Sequence, residues 1–206
     1  MIGALVHGIL LAFGLILPLG AQNIFVLNQG SSQPFFKKVI PVILTASFCD
    51  TLLILLAVIG VSIMVLAIPV FQTILFSIGF LFLLYIGWVV WTSKPASITG
   101  ENVALSPKKQ ILFAISVSLL NPHAILDTIG VIGTNSLYYT GSAKVVFTTA
   151  CIVVSWLWFL GLAIIGRVIG GKDTNGRLLV FINKVSGILI WCVAVYIGSQ
   201  IGSSFK

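Results

Sequence analysis

The stretch Pro18-Leu19-Gly20-Ala21-Gln22-Asn23 places a proline and two side-chain amides inside a long apolar segment. A matching stretch in the second half of the chain reads Asn121-Pro122-His123-Ala124-Ile125-Leu126-Asp127. Proline removes a backbone donor and frees the carbonyl four residues earlier, so both segments are predicted to be broken helices. Free backbone groups at membrane depth are tolerated only where they are buried in protein or line a wet cavity. Because Asn23 falls on Asp127 when the prolines are aligned, we expect the two stretches to form two walls of one site.

The composition predicts a membrane protein. Of 206 residues, 59% are hydrophobic and only 7% are charged, whereas soluble domains are about 25% charged. Six apolar segments are long enough to cross a hydrocarbon core of about 30 Å. They lie near residues 2–27, 40–66, 69–92, 110–134, 143–169 and 178–200. No connection can hold a further domain, so we predict an all-α polytopic protein with a single transmembrane domain over residues 1–206.

The two halves of the chain resemble each other. Leu56-Ala57-Val58-Ile59-Gly60 is similar to Leu162-Ala163-Ile164-Ile165-Gly166, and Tyr85-Ile86-Gly87 is similar to Tyr196-Ile197-Gly198. Because each half has three predicted spans, the second copy must enter the membrane in the opposite orientation. We therefore predict a 3+3 inverted repeat, with a first repeat near 1–92, a linker near 93–109 and a second repeat near 110–206. Such repeats place a site near the midplane, where broken helices meet.

The basic residues predict an orientation. Most of the Lys and Arg residues lie in or near the connections after spans one, three and five: Lys37, Lys38, Lys94, Lys108, Lys109, Arg167, Lys172, Arg177 and Lys184. Only Lys144 and Lys206 lie on the other face. The positive-inside rule then places the basic connections in the cytoplasm and both termini outside. Because the charge lies between apolar runs, it indicates a lipid environment, and no nucleic-acid partner is expected.

Two of the four acidic residues, Asp50 and Asp127, lie inside predicted spans. A carboxylate at the centre of a membrane helix costs about 2.5–3.5 kcal/mol. Because no Lys or Arg lies at comparable depth, a mobile cation is the expected partner, either a cationic substrate or a proton. A permanently protonated structural acid is the alternative. His123 is four residues before Asp127, so it is either a proton relay or a group that satisfies backbone freed by Pro122.

Three uncharged polar residues, Gln22, Asn23 and Asn121, lie beside the predicted breaks. Their amides can both donate and accept hydrogen bonds, which suits an amino-acid headgroup. The N-terminal end of a broken helix also attracts a carboxylate through the helix dipole. These residues are therefore candidates for binding a small zwitterionic substrate.

The cysteines suggest no cofactor. Cys49, Cys151 and Cys192 lie in apolar runs without a CxxC pair or a Cys/His cluster, so no disulfide framework or metal site is predicted. No nucleophile–base pair is present either, so no catalytic residue and no enzyme activity are expected. Two other classes stay open: a thiol-redox conduit through Cys49 and Cys151, and a passive cation channel lined by the two acids.

These motifs resemble the LysE family of bacterial amino-acid exporters, and most closely its lysine/arginine-exporting branch. Gly20-Ala21-Gln22-Asn23 and Asn28-Gln29-Gly30 are similar to the family's Gly-Pro-Gln-Asn and Gln-Gly patterns, with Ala21 in place of the usual proline. Cys49-Asp50 is similar to its span-two pattern, and Leu120 to Asp127 follow its Leu-Asn-Pro-x-x-x-Leu-Asp pattern. The resemblance covers nearly the whole chain. Relatives that export neutral amino acids generally lack the acid corresponding to Asp127, which favours a cationic substrate.

The resemblance implies an exporter of arginine or lysine in the bacterial cytoplasmic membrane. Because moving a cation outward against an interior-negative potential is costly, we expect a secondary-active exporter that is coupled to protons by alternating access. A neutral amino acid or another small cation is the alternative substrate. The expected substrate-binding residues are Asp50, Asp127, Asn23, Gln22 and Asn121. Proton coupling is expected at Asp50, Asp127 and His123, and the helix breaks at Pro18, Gly20 and Pro122. The sequence indicates no oligomeric state.

Overall fold

The computed structural model describes residues 1–17, 20–60, 69–92, 105–121, 124–125, 127–172 and 177–204, in places by backbone alone. This part of the chain is helical and contains no strand, which confirms the predicted all-α fold. The helices are α1 (Ile2–Ile16), α2 (Ala21–Ser32), α3 (Ile40–Ile59), α4 (Pro69–Thr92), α5 (Pro107–Leu119), α6 (Gly141–Lys172) and α7 (Arg177–Ser204). A 3-10 turn, Phe36–Lys38, precedes α3, and a π-helical segment, Asp127–Gly133, runs into the short helix Thr134–Ser136 before α6.

Two of the described helices are long and apolar enough to cross a membrane. They span Phe36–Ile59 and Gly141–Gly171, with mean hydropathies of 2.5 and 2.2. The pair formed by α1 and α2 passes the same test and is bent by 80°. The described residues therefore contain two clear spans, or three if the bent pair is one span. The complete set of six remains a prediction.

The first predicted span is divided into two helices. α1 ends at Ile16 and α2 begins at Ala21, and α2 continues to Ser32, beyond the predicted limit of residue 27. Across the bend, the side-chain amide of Asn23 donates to the Ile16 carbonyl at 2.8 Å. The last carbonyls of a helix lack intrahelical donors, so this bond ties the end of α1 to the first turn of α2.

Proline and glycine set the ends of α3. Pro41 lies in the first turn, where its missing N–H would have no intrahelical partner. Gly60 ends the helix in the left-handed conformation, with φ of 86°, which glycine adopts at little cost. α3 therefore ends at Ile59, before the predicted limit of residue 66.

Glycines allow α2 and α6 to pack closely. A Cβ atom at Gly166 would overlap the Leu27 carbonyl, and a Cβ atom at Gly30 would overlap the Ala163 carbonyl. A Cβ atom at Gly170 would lie 2.6 Å from the Ser31 carbonyl oxygen. Small residues that let two backbones approach in this way are typical of membrane helix interfaces. α6 also packs against α1 and α3, so it is the central helix of the described bundle.

Replacing Gly166 with Ala should therefore destabilise the protein. The added methyl group has no room beside Leu27, and overpacking of this kind costs about 1–3 kcal/mol. A methyl group added at Gly161 on the same helix would have no atom within 4 Å, so Gly161→Ala should be neutral or stabilising by about 0.5–1 kcal/mol. Thermal unfolding of the two purified variants in detergent measures the change in stability that each substitution causes. Equal unfolding temperatures for the two variants would contradict the close packing.

Polar contacts join several connections at one end of the bundle. The Arg167 guanidinium donates to the carbonyls of Gln33 and Pro34, the second at 2.7 Å. The Gln110 amide donates to the carbonyls of Lys38 at 3.0 Å and Leu105 at 2.9 Å. The connection after α2, the residues before α5 and the C-terminal part of α6 therefore meet. These are parts of the basic connections that were predicted to share one face.

The helices α4 and α7 form an antiparallel pair. A Cβ atom at Gly87 would overlap the Trp191 indole, and a Cβ atom at Gly187 would lie 3.2 Å from Cβ of Trp91. The two contacts are reciprocal: they relate Gly87 to Gly187 and Trp91 to Trp191. The tripeptide match between the halves pairs Gly87 with Gly198, which instead lies against Phe80. In the packed helix pair, Gly87 therefore corresponds to Gly187, whereas the tripeptide match aligns Gly87 with Gly198.

Candidate functional site

A cavity of about 400 Å³ lies between the bent helix pair, α3, the π-helical segment, α6 and the α4–α7 pair. This volume falls within the range of about 300–1,000 Å³ that is typical of small-molecule sites. Most of the wall is apolar, and its polar side chains come from different helices. The polar lining residues are Gln22, Asn23, Asp50, Asn121, Thr128, Cys151, Ser155 and Cys192.

Four of the five predicted substrate-binding residues line this cavity. Gln22 and Asn23 belong to the first turn of α2, Asp50 to α3, and Asn121 to the residues after α5. The three amide side chains are buried, with exposed fractions of 6–8%. The structure thus brings together residues that are distant in the sequence.

The other predicted site residues are only partly described. Gly20 lines the cavity and precedes α2 with an extended backbone, at φ of −70° and ψ of 176°. Asp127 begins the π-helical segment, and its side chain is outside the described part of the chain. Pro18, Pro122 and His123 also lie outside the described residues.

The start of α2 forms part of the cavity wall, through Gly20, Ala21, Gln22 and Asn23. Backbone N–H groups in a first helical turn have no intrahelical acceptor, and the helix dipole makes this end positive. The Gln22 amide donates a long hydrogen bond, of 3.4 Å, to the Ala46 carbonyl of α3. Since Asn23 donates to Ile16, its amide nitrogen holds the bend of the first span. Sequence reasoning had assigned Asn23 to the substrate alone.

Asp50 brings a carboxyl group to the cavity at the crossing of α3 and α6. The Ser155 hydroxyl donates to Oδ2 of Asp50 at 2.5 Å. Of the described side chains that line the cavity, Asp50 is the one that carries a formal charge, and no Lys or Arg is among them. A carboxylate in such surroundings is costly unless a cation or a proton neutralises it. The site is therefore suited to a mobile positive charge.

Two buried hydroxyl residues of the cavity wall, Ser155 and Thr128, were not predicted. Both lie in apolar predicted spans, where a hydroxyl usually bonds a carbonyl of its own helix. Ser118 does so with Ala114 at 2.7 Å. Sequence alone does not distinguish such a residue from one that faces a cavity. The available signal for Thr128 was its position directly after Asp127.

The cysteines are unpaired in the described structure. Cys49 and Cys151 are buried, whereas Cys192 is exposed. Cys151 and Cys192 line the cavity. Among the described residues, no group of three or more His, Cys, Asp or Glu side chains could hold a metal ion. The polar lining of the cavity thus consists of amides, hydroxyls, thiols and one carboxyl group.

A bent apolar helix pair, and a cavity with a carboxyl group and buried amides inside a helical bundle, are features of membrane transport proteins. Sequence comparison agrees with this class. The profile of the LysE type translocator family matches residues 2–200, and the chain belongs to this family.

The chain is also similar to several named relatives. It is 55% identical over 195 residues to "Putative amino-acid transporter YisU" of Bacillus subtilis (strain 168), which covers 95% of this chain and 89% of the relative. It is 28% identical over 207 residues to "Arginine exporter protein ArgO" of Serratia proteamaculans (strain 568), with coverage of 97% and 98%. The ArgO protein of Shigella flexneri is 30% identical over 193 residues, with coverage of 92% and 90%. No solved structure matches the chain.

Proposed function

We propose that this protein exports arginine, lysine or both across the bacterial cytoplasmic membrane, as a secondary-active transporter coupled to inward proton movement. The observation that carries the proposal is the position of Asp50, in a cavity whose described lining contains no basic side chain. A cationic amino acid supplies the missing charge. The relatives named as arginine exporters support this choice of substrate.

The polar groups of the cavity divide naturally between the two ends of such a substrate. Its α-carboxylate is attracted to the N-terminal end of α2, where the helix dipole is positive. The amides of Gln22, Asn23 and Asn121 orient the headgroup. Its side-chain cation pairs with Asp50, and Asp127 is the second proposed acid.

The membrane potential favours coupling of export to proton entry. Moving one positive charge outward against an interior-negative potential costs about 2.3 kcal/mol per 100 mV. Uncoupled movement would therefore carry the cation inward at equal concentrations. Exchange for an incoming proton cancels the net charge movement. Asp50 and Asp127 would hold either a proton or the substrate cation, and His123 would relay protons to Asp127.

Helix packing supports the proposed 3+3 inverted repeat. Gly30 of α2 lies against Ala163 of α6, and a Cβ atom at Gly133 of the π-helical segment would lie 3.2 Å from the carbonyl oxygen of Ala57 in α3. Ala57 and Ala163 are equivalent in the pentapeptide match between the two halves. In addition, α3 packs on α6 and α4 packs on α7. This is the pattern expected if a two-fold axis relates the two halves, and alternating access then exchanges their conformations.

The proposed orientation places the basic connections in the cytoplasm and both termini outside. Its support is the meeting of the connection after α2, the start of α5 and the C-terminal part of α6 at one end of the bundle. Lys37, Lys38 and Arg167 therefore share that end, as the positive-inside rule requires of cytoplasmic loops.

Proteoliposomes loaded with radiolabelled arginine test the function. We expect efflux that saturates with arginine, accelerates when the exterior is acidified and loses its concentrative component when a protonophore is added. Labelled lysine should compete, and labelled leucine provides the neutral control. Efflux of leucine but not arginine would contradict the proposed substrate, and a non-saturable, pH-independent flux would indicate a channel. Full activity after replacing all three cysteines with alanine would exclude the thiol-redox alternative.

A further inference from the structure

We propose that Ser155 is a positioning residue that holds the Asp50 side chain at the cavity wall in both of its protonation states. The role of this pair in transport rests on the proposed function, whereas the contact itself does not. Ser155 belongs to α6 and Asp50 to α3, 105 positions apart in the sequence. Their hydrogen bond therefore joins the two predicted repeats.

The direction of the Ser155 hydroxyl is the first argument. In apolar helices a serine usually donates to a carbonyl of its own preceding turn, as Ser118 does. Ser155 instead donates across the helix crossing to Oδ2 of Asp50 at 2.5 Å. Ser155 is 2% exposed and lines the cavity beside Asp50. Asp50 itself is partly buried, and a charge-assisted bond at such a place is strong and short, so it restrains the carboxyl group.

The chemistry of a hydroxyl is the second argument. A serine hydroxyl has one donor and two acceptor sites. It donates to the Asp50 carboxylate, and when that group gains a proton, the acid O–H can donate to the Ser155 oxygen. A Lys or Arg partner would compete with a cationic substrate, and a backbone carbonyl would serve only the protonated acid. A serine can therefore keep the side chain in place while its charge changes.

The location of the pair is the third argument. Asp50 and Ser155 lie where α3 crosses α6, and both line the cavity. The two helices belong to different predicted repeats, so the bond fixes the carboxyl group at the place where the repeats meet. A carboxyl group that alternates between a proton and the substrate cation needs such a fixed position beside the cavity.

A neighbouring contact provides a matched control. Trp156 donates through Nε1 to the Thr51 hydroxyl at 3.0 Å, one residue further along the same crossing of α3 and α6. Thr51 does not line the cavity. Thr51→Val therefore removes a hydrogen bond between the same two helices without touching the Asp50 carboxyl group. A general loosening of the crossing would affect this variant as much as Ser155→Ala.

Other titratable groups near Asp50 must be held constant. Within the described part of the chain, the thiols of Cys49 and Cys151 are the titratable groups that interact with it. The described basic side chains on the elements packed against α3 lie near helix ends: Lys37, Lys38, Lys108, Lys109, Lys144 and Arg167. The Asp127 side chain lies outside the described residues. Each labelling measurement is therefore made in both the wild-type and the Asp127→Asn background.

The direct test is the pH dependence of carbodiimide labelling at Asp50. Dicyclohexylcarbodiimide reacts with protonated carboxyl groups in apolar surroundings, and mass spectrometry of the peptide measures the modified fraction. In Ser155→Ala, the carboxylate loses a charge-assisted bond that is stronger than the neutral bond of the protonated acid, so the midpoint for loss of labelling should move to higher pH by about one unit. Ser155→Thr and Thr51→Val should keep the wild-type midpoint. An unchanged midpoint in Ser155→Ala, or an equal shift in Thr51→Val, would overturn the proposal.

Transport kinetics separate this proposal from the proposed function. Ser155→Ala should raise the KM for arginine about tenfold and shift the pH–rate profile, because one charge-assisted hydrogen bond is lost. Ser155→Thr keeps a hydroxyl group, so it should have the wild-type KM and the wild-type pH–rate profile. A labelling shift in a protein that does not transport arginine would support the positioning role and contradict the substrate. If the wild-type protein transports arginine but Ser155→Ala has the wild-type labelling midpoint, the positioning role is contradicted and the proposed function is not.

Discussion

Asp50→Asn should reduce arginine export to the rate of protein-free liposomes. The substitution keeps the size of the side chain but removes the charge that is proposed to pair with the substrate cation. Truncating one partner of a buried charge pair costs about 2–5 kcal/mol, which corresponds to a loss of at least about 30-fold. Asp127→Asn should have an effect of the same kind. Initial efflux rates and arginine binding to the purified protein measure both losses.

The chain offers a matched control for this charge neutralisation. Glu101 and Asp173 are the remaining acids, and both lie in predicted connections between spans. Glu101→Gln and Asp173→Asn make the same chemical change away from the predicted spans, so they should keep export near the wild-type rate. Wild-type export in both Asp50→Asn and Asp127→Asn would discard the proposed roles of the two acids.

Asn23→Leu should lower both stability and transport. The Asn23 amide donates to the Ile16 carbonyl across the bend, and leucine has a similar size but no donor. The bond is partly buried, and a fully buried carbonyl that loses its donor costs about 1–3 kcal/mol, so the loss here is at most of that size. Because α1 and α2 both contribute to the cavity wall, a change in the bend also displaces Gln22 and the first turn of α2. We expect a lower unfolding temperature in detergent and at least a tenfold loss of arginine efflux.

A second polar residue of α2 supplies the comparison. The Ser31 hydroxyl donates to the Asn28 carbonyl at 2.9 Å, within the same helix and away from the cavity lining. Ser31→Ala therefore removes a side-chain hydrogen bond without affecting the bend, and it should transport at nearly the wild-type rate. If Asn23→Leu behaved like Ser31→Ala, the bond to Ile16 would have no part in shaping the cavity.

Much of the helical framework could be predicted because apolar length and helix-ending residues act locally. The predicted limits of the third span, residues 69–92, coincide with α4, which begins at Pro69. The limit of α3 was placed too late, because an apolar run continues past Gly60 and the left-handed turn at that glycine was not recognised. The first span was predicted as one segment broken near Pro18. Its 80° bend is a property of packing that hydropathy does not contain.

The residues of the candidate site could also be predicted only in part. Asp50, Gln22, Asn23 and Asn121 could be selected from the sequence, because charge and amides are conspicuous in apolar segments. Ser155 could not, because its importance depends on a contact with a residue 105 positions away. The structural bond of Asn23 to Ile16 was missed because it requires the chain to turn back at the bend.

By itself, the amino-acid sequence determined that this chain is helical, that it is apolar enough for a membrane and that two acids lie in its predicted spans without basic residues at comparable depth. These properties follow from composition, segment length and local backbone chemistry. Only the tertiary structure decided that the amides and Asp50 line one cavity, that Ser155 donates to Asp50 and that glycines set the approach of α2 to α6. Hydrogen bonds and close backbone contacts depend on distances between helices, and helix packing alone sets those distances.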